Sequence, residues 1–160
     1  MNGGIVPSLL LYATLGFLLS FTTQRIAWTG FAGVAVTAWI SSLVTLPASL
    51  ATFIFIGVWV SIILTAGLTY LPMAVARRWA IPLATVVGML GGALTSLTDR
   101  KGDLMLALPA SLLFIPGRLI VARGYGLGIK IVASWMIAIA LLSTFVSLTP
   151  TPGYEPDHME

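Results

Sequence analysis

The chain has 160 residues, 58% of them hydrophobic and 8% charged, against roughly 45–50% and about 25% in soluble domains. So few charges exclude a water-facing globular surface, and the lack of any cysteine excludes disulfides, thiolate metal sites and thiol redox chemistry. Eight Lys/Arg against five Asp/Glu give a formal charge of +3, spread singly or in pairs; this reads as a topology signal and not as a basic stripe for nucleic acid.

The opening Met1-Asn2-Gly3-Gly4 lacks the basic region and small-residue cleavage site of a secretory signal peptide, so the first apolar run is expected to remain as a span. That run, Ile5 to Thr22, is followed by Arg25. Ile26 to Leu46 forms the second expected span and is closed by Pro47. The third run, from about Ala48 to Ala76, is too long for a perpendicular crossing, so it must tilt or end near Pro72, before Arg77 and Arg78. Trp79 to Thr98 is the fourth. Leu127 to Thr149 is the last, with Lys130 near its start, where a lysine snorkels to the headgroups. These runs are apolar on every face, which suits helices and not the alternating strands of a membrane β-barrel. The expected organisation is a transmembrane helical bundle over 1–149 and a solvated, acidic, Pro-rich tail over 150–160.

One stretch is ambiguous. Between Asp103 and Arg118 lie fourteen uncharged residues, a helix rising about 21 Å, which falls short of a bilayer core of about 30 Å. If Arg118 snorkels and the helix continues to Ala122, nineteen residues are available, enough to cross. With six spans and the N-terminus outside, Arg25, Arg77, Arg78, Arg118, Arg123 and Lys130 fall inside, and only Arg100 and Lys101 outside. The best five-span arrangement leaves five basic residues inside against three outside. The reading is therefore an all-α bundle of six spans with both termini outside. The alternative is five spans plus a re-entrant or interfacial helix, which Pro109 and Pro116 would suit. Trp28, Trp79 and Tyr125 each lie within three residues of an arginine at the proposed inner face, as an interfacial aromatic belt would.

Chemistry is sparse. No Asp, Glu, His, Lys or Arg lies near the centre of the five clear spans, which argues against proton relays, voltage sensors and ion-coupled carriers. His158 sits in the tail without metal-ligand spacing, no cofactor signature occurs, and the serines and threonines have no neighbouring base. Neither an enzyme nor a metal or cofactor is expected. Gly88, Gly92 and Ser96 form a small-xxx-small face suited to close helix packing, within the bundle in preference to self-association, and Gly91 beside them offers a hinge. Thr37, Ser41 and Thr45 in the second span, and Ser61, Thr65 and Thr69 in the third, make two hydroxyl stripes. Such stripes either bond their own helix carbonyls or line a path for a neutral or weakly polar solute. The loop Asp99-Arg100-Lys101-Gly102-Asp103 reads as a self-neutralising turn. Arg118, after Pro116-Gly117, is placed at the end of a broken helix, as a topological anchor or as a contact for an anion or a partner's carboxylate.

These features point to a small, non-enzymatic integral membrane protein: a transporter or channel, with an accessory, assembly or immunity-type subunit of a larger complex as the alternative. Its expected partners are the lipid bilayer and either copies of itself or other membrane subunits, with no nucleic acid. A multi-pass position in a bacterial inner membrane is the default expectation.

Overall fold

The computed structural model describes residues 5–98 and 101–148, which are helical apart from short turns, with no strand among the described residues. The elements are α1 (Ile5–Ser20), α2 (Gln24–Ser42), a 3-10 turn (Ala48–Leu50), α3 (Ala51–Leu68), α4 (Met73–Thr98), α5 (Lys101–Ala107), a 3-10 segment (Leu108–Leu113), α6 (Phe114–Ala122) and α7 (Gly126–Leu148). The tail and the residues 99–100 lie outside the described residues.

Proline and turn chemistry set most boundaries. The second helix stops at Ser42, earlier than Leu46, as the amides of Leu43 and Val44 bond back to Ile40 and Ser41 in tight turns on the approach to Pro47. The overlong third run resolves by ending: Thr69, Tyr70 and Leu71 each donate to a carbonyl three residues back, and Pro72 follows. The Pro72 carbonyl then accepts from Val75 and Ala76, so α4 begins at Met73 and draws Arg77 and Arg78 into its early turns. The α6–α7 turn is a Schellman motif, in which Tyr125 donates to Ile120 and Gly124 to Val121; Gly124 has φ +84°, a conformation that favours glycine.

The ambiguous stretch is one continuous helical rod. Pro109 sits at the start of the 3-10 segment and Pro116 in the first turn of α6, positions where a missing amide donor is least costly. Leu104–Ala122, with 19 residues, is long and apolar enough to cross a membrane, as are Ala51–Leu68, Met73–Leu97 and Gly126–Val146. The rod runs alongside α1 in the same direction. A Cβ at Gly16 would stand 2.8 Å from the Ser111 carbonyl oxygen, and one at Gly117 would collide with the Ser20 hydroxyl. It does not turn back, so the re-entrant alternative is set aside.

The other contacts fix an alternating order. Leu19 meets Gly30, antiparallel across the α1–α2 turn. Gly30, Gly88 and Gly92 pair α2 with α4 in parallel, through Ala84 for the first, Val34 and Thr37 for the second, and Ala38 and Ser41 for the third. Gly57 meets Leu90, and Tyr70 donates to the Lys130 carbonyl, so α3 is antiparallel to both α4 and α7. Arg25, Arg77, Arg78, Arg118, Arg123 and Lys130 therefore share one end of the bundle. The start of α1 and the end of α7 lie at the other.

At the centre is α1, only 16 residues long. Its Leu11, Tyr12, Leu15, Leu18 and Leu19 are fully buried, and it contacts every other helix of the bundle. A helix apolar all round is what a position inside a bundle requires.

A candidate lateral groove at the basic end

The two hydroxyl stripes are not brought together. α2 packs chiefly on α4, and α3 on α7, α1 and α4, while α2 and α3 share no substantial interface with each other. Thr37 Oγ1 donates to the Gly33 carbonyl at 2.7 Å, and Ser41 Oγ reaches across to the Met89 carbonyl of α4 at 2.8 Å. Thr45 lies beyond the end of α2 and is exposed, which breaks the helical spacing on which its membership of the stripe rested. On α3, Ser61, Thr65 and Thr69 are all buried, and Thr69 Oγ1 donates to its own helix at Ala66, 2.6 Å away. Buried Thr14, Ser20, Thr95 and Ser111 likewise bond carbonyls three or four residues back. Thr14, Ser20, Thr37, Thr69, Thr95 and Ser111 thus serve their own helices, whereas Ser41 bridges to α4 and Thr65 Oγ1 is buried without a partner.

Gly88 and Gly92 lie where α2 and α4 touch backbone to backbone. A Cβ at Gly88 would come within 2.7 Å of the Val34 carbonyl, and one at Gly92 within 2.8 Å of the Ser41 Cβ. Ser96 is half-buried and bonds the Ala93 carbonyl at 2.8 Å. Ala80 and Ala84 extend this seam along α4, and Ala27, Gly30, Val34 and Ala38 supply the matching face of α2; all are buried. Their spacing of three or four residues was present in the sequence, masked by the hydroxyl stripe on the same helix. Gly91 faces α1, where a Cβ would stand 2.7 Å from the Tyr12 ring, so its smallness makes room for that side chain.

Arg118 lies inside α6, not at the end of a broken helix. Pro116-Gly117 is part of α6, and Gly117 is the point of closest approach to Ser20 of α1. Across from Arg118 is the first turn of α2. Trp28 stacks edge-on to Phe114 with ring centroids 5.3 Å apart and to Phe31 at 6.1 Å, tying the start of α2 to the start of α6. Beside this aromatic cluster runs a groove of about 220 Å³ lined by Gln24, Trp28, Phe114, Ile115, Arg118 and Leu119. A neighbouring hollow, lined by Thr23, Gln24, Arg25 and Trp28, shares Gln24 and Trp28 with it.

The electrostatics of the groove are one-sided. Arg118 is half-buried, and its Nη1 is buried without a hydrogen-bond partner. Arg25 is exposed at the neighbouring hollow. Thr23 caps α2 in extended conformation (φ −70°, ψ 154°) but makes no side-chain cap bond, so the positive end of the α2 dipole faces the same place. The one acidic residue within a described helix, Asp103, belongs to α5 (Lys101–Ala107), whose backbone lies towards the opposite end. An unpaired buried guanidinium nitrogen is costly, and an anion is what satisfies it. Beneath these polar groups, Trp28, Phe114, Ile115 and Leu119 offer an apolar wall.

Among the described residues no group of three or more His, Cys, Asp or Glu side chains is placed to hold a metal ion. Comparison with known protein families, curated proteins and solved structures gives no match to any of them.

Proposed function

We propose that this small multi-pass membrane protein is a non-enzymatic accessory subunit of a membrane assembly, holding an anionic membrane component against its flank at the basic end. The observation that carries this reading is a contrast between centre and edge. The centre is occupied by α1, whose Thr14 and Ser20 hydroxyls bond their own helix, whereas the partly buried cation Arg118 lines a groove on the flank. Purification in mild detergent at native expression tests it. Wild-type chain is expected to retain other membrane components that the Arg118→Gln variant loses; a clean homo-oligomer from both variants that also moves a solute in proteoliposomes would overturn it.

Transport of a weakly polar solute is the second reading, favoured by one observation. Tyr12 Oη, Trp59 Nε1 and Thr65 Oγ1 are buried without partners, and a passing solute or water would satisfy them. Flux through proteoliposomes that falls on Thr65→Val substitution would support this reading; flux absent from wild-type vesicles would end it.

A further inference from the structure

We infer that the groove between α2 and α6 is a binding site for an anionic phospholipid, with the headgroup phosphate between Arg118 and Arg25 and the first methylenes of an acyl chain along Trp28, Phe114, Ile115 and Leu119. The inference rests on the lateral-groove reading above and names its ligand. Three observations lead from the groove to this class of molecule.

The first is amphiphilicity along the groove. Its polar lining is Gln24 and Arg118, continued by Thr23 and Arg25 in the adjoining hollow, and its apolar lining is Trp28, Phe114, Ile115 and Leu119. A phospholipid has the same division at the same level of the bilayer, and basic pockets between transmembrane helices are suited to headgroups.

The second is charge. Arg118, with a buried guanidinium nitrogen lacking a partner, lines the groove, and Arg25 lines the adjoining hollow at the side-chain-uncapped start of the 19-residue α2. Arginine offers a planar fork to phosphate oxygens, and free first-turn amides of a helix reinforce it.

The third is size. The groove itself is about 220 Å³, narrow for a helix body about 10–12 Å across, and the adjoining hollow of about 720 Å³ gives the headgroup room. A phosphate and part of one chain suit it better. Free inorganic phosphate would fill only the polar half.

The test uses the full-length purified chain in a neutral detergent, with thermal stability followed while phosphatidylglycerol, phosphatidylcholine or inorganic phosphate is titrated. Phosphatidylglycerol is expected to raise the Tm at concentrations where the other two do not. Arg118→Gln should weaken its apparent affinity about tenfold, the loss of one charge-assisted contact, and Arg118→Lys should recover part of it. Arg25→Gln offers a second reading of the same site should the Arg118 variant fold poorly, and Arg123→Gln, outside the groove, should respond as wild type. Equal responses to phosphatidylglycerol and phosphatidylcholine, an unchanged response in both groove variants, or phosphate acting as well as the lipid would overturn the inference. If lipid has no effect while other subunits still co-purify in an Arg118-dependent way, the lipid site falls and the accessory reading stands. If neither depends on Arg118, both fall.

Discussion

At the scale of single residues, the chain separates glycines that hold helices together from glycines that do not. Gly88 and Gly92 leave no room for a Cβ, whereas nothing lies within 4 Å of a Cβ placed at Gly33 or Gly67. In a membrane, where apolar burial does not drive helices together, such close backbone contact supplies the dispersion energy of association. Gly92→Leu is therefore expected to lower stability by about 1–3 kcal/mol, as overpacking does, and to lower the Tm in detergent, with Gly67→Ala as a near-neutral control. Equal Tm for both variants would mean that the α2–α4 seam contributes nothing. Tyr12 poses the converse case. Its hydroxyl is buried with no partner, so Tyr12→Phe removes an unsatisfied polar group and should leave the Tm unchanged or raise it; a marked fall would show that the hydroxyl is bonded in the membrane. Gly88 and Gly92 were legible in the sequence because small residues at four-residue spacing stand out among leucines and valines, whereas Ser96 bonds its own helix at Ala93. Their complement on α2 was not legible, as Gly30, Val34 and Ala38 share the helix with a hydroxyl stripe that invites a polar reading.

At the scale of elements, the informative segment is 104–122. Composition left it between a crossing and a re-entrant helix, because Pro109 and Pro116 count against a helix when their places in the turns are unknown. The structure puts each proline where a helical segment restarts, and the rod stays straight enough to follow α1 from Gly16 to Ser20. A cysteine introduced at Arg123 should thus react with a membrane-impermeant thiol reagent only after the cells are opened, and the native chain has no cysteine to interfere. Labelling in intact cells would place the end of α6 outside and remove the crossing. The third run shows the same limit of hydropathy: Ala48 to Ala76 is apolar almost throughout, yet α3 ends at Leu68 because the turn before Pro72 consumes the remaining residues. The central position of α1 could not be read at all. A helix apolar on every face reads alike whether lipid or other helices surround it.

At the scale of the whole molecule, the groove and its proposed ligand both follow from one arrangement of the helices. Helices alternate six times, so Arg25, Arg77, Arg78, Arg118, Arg123 and Lys130 gather at a single end. The positive-inside rule predicts that this end faces the cytoplasm. The charge asymmetry was visible in the sequence, and the contacts between Gly30 and Ala84, Gly16 and Ser111, and Tyr70 and Lys130 give it a physical frame. What the sequence concealed was the placing of Arg118 beside the start of α2, residues nearly a hundred positions apart that are brought together around the Trp28–Phe114 contact. The most direct measurement is a pair of reporters fused after Glu160. Alkaline phosphatase should be active there, and a fluorescent protein that matures only in the cytoplasm should be dark. A bright fluorescent fusion with inactive phosphatase would put the C-terminus at the same side as the basic end and contradict the six-crossing arrangement.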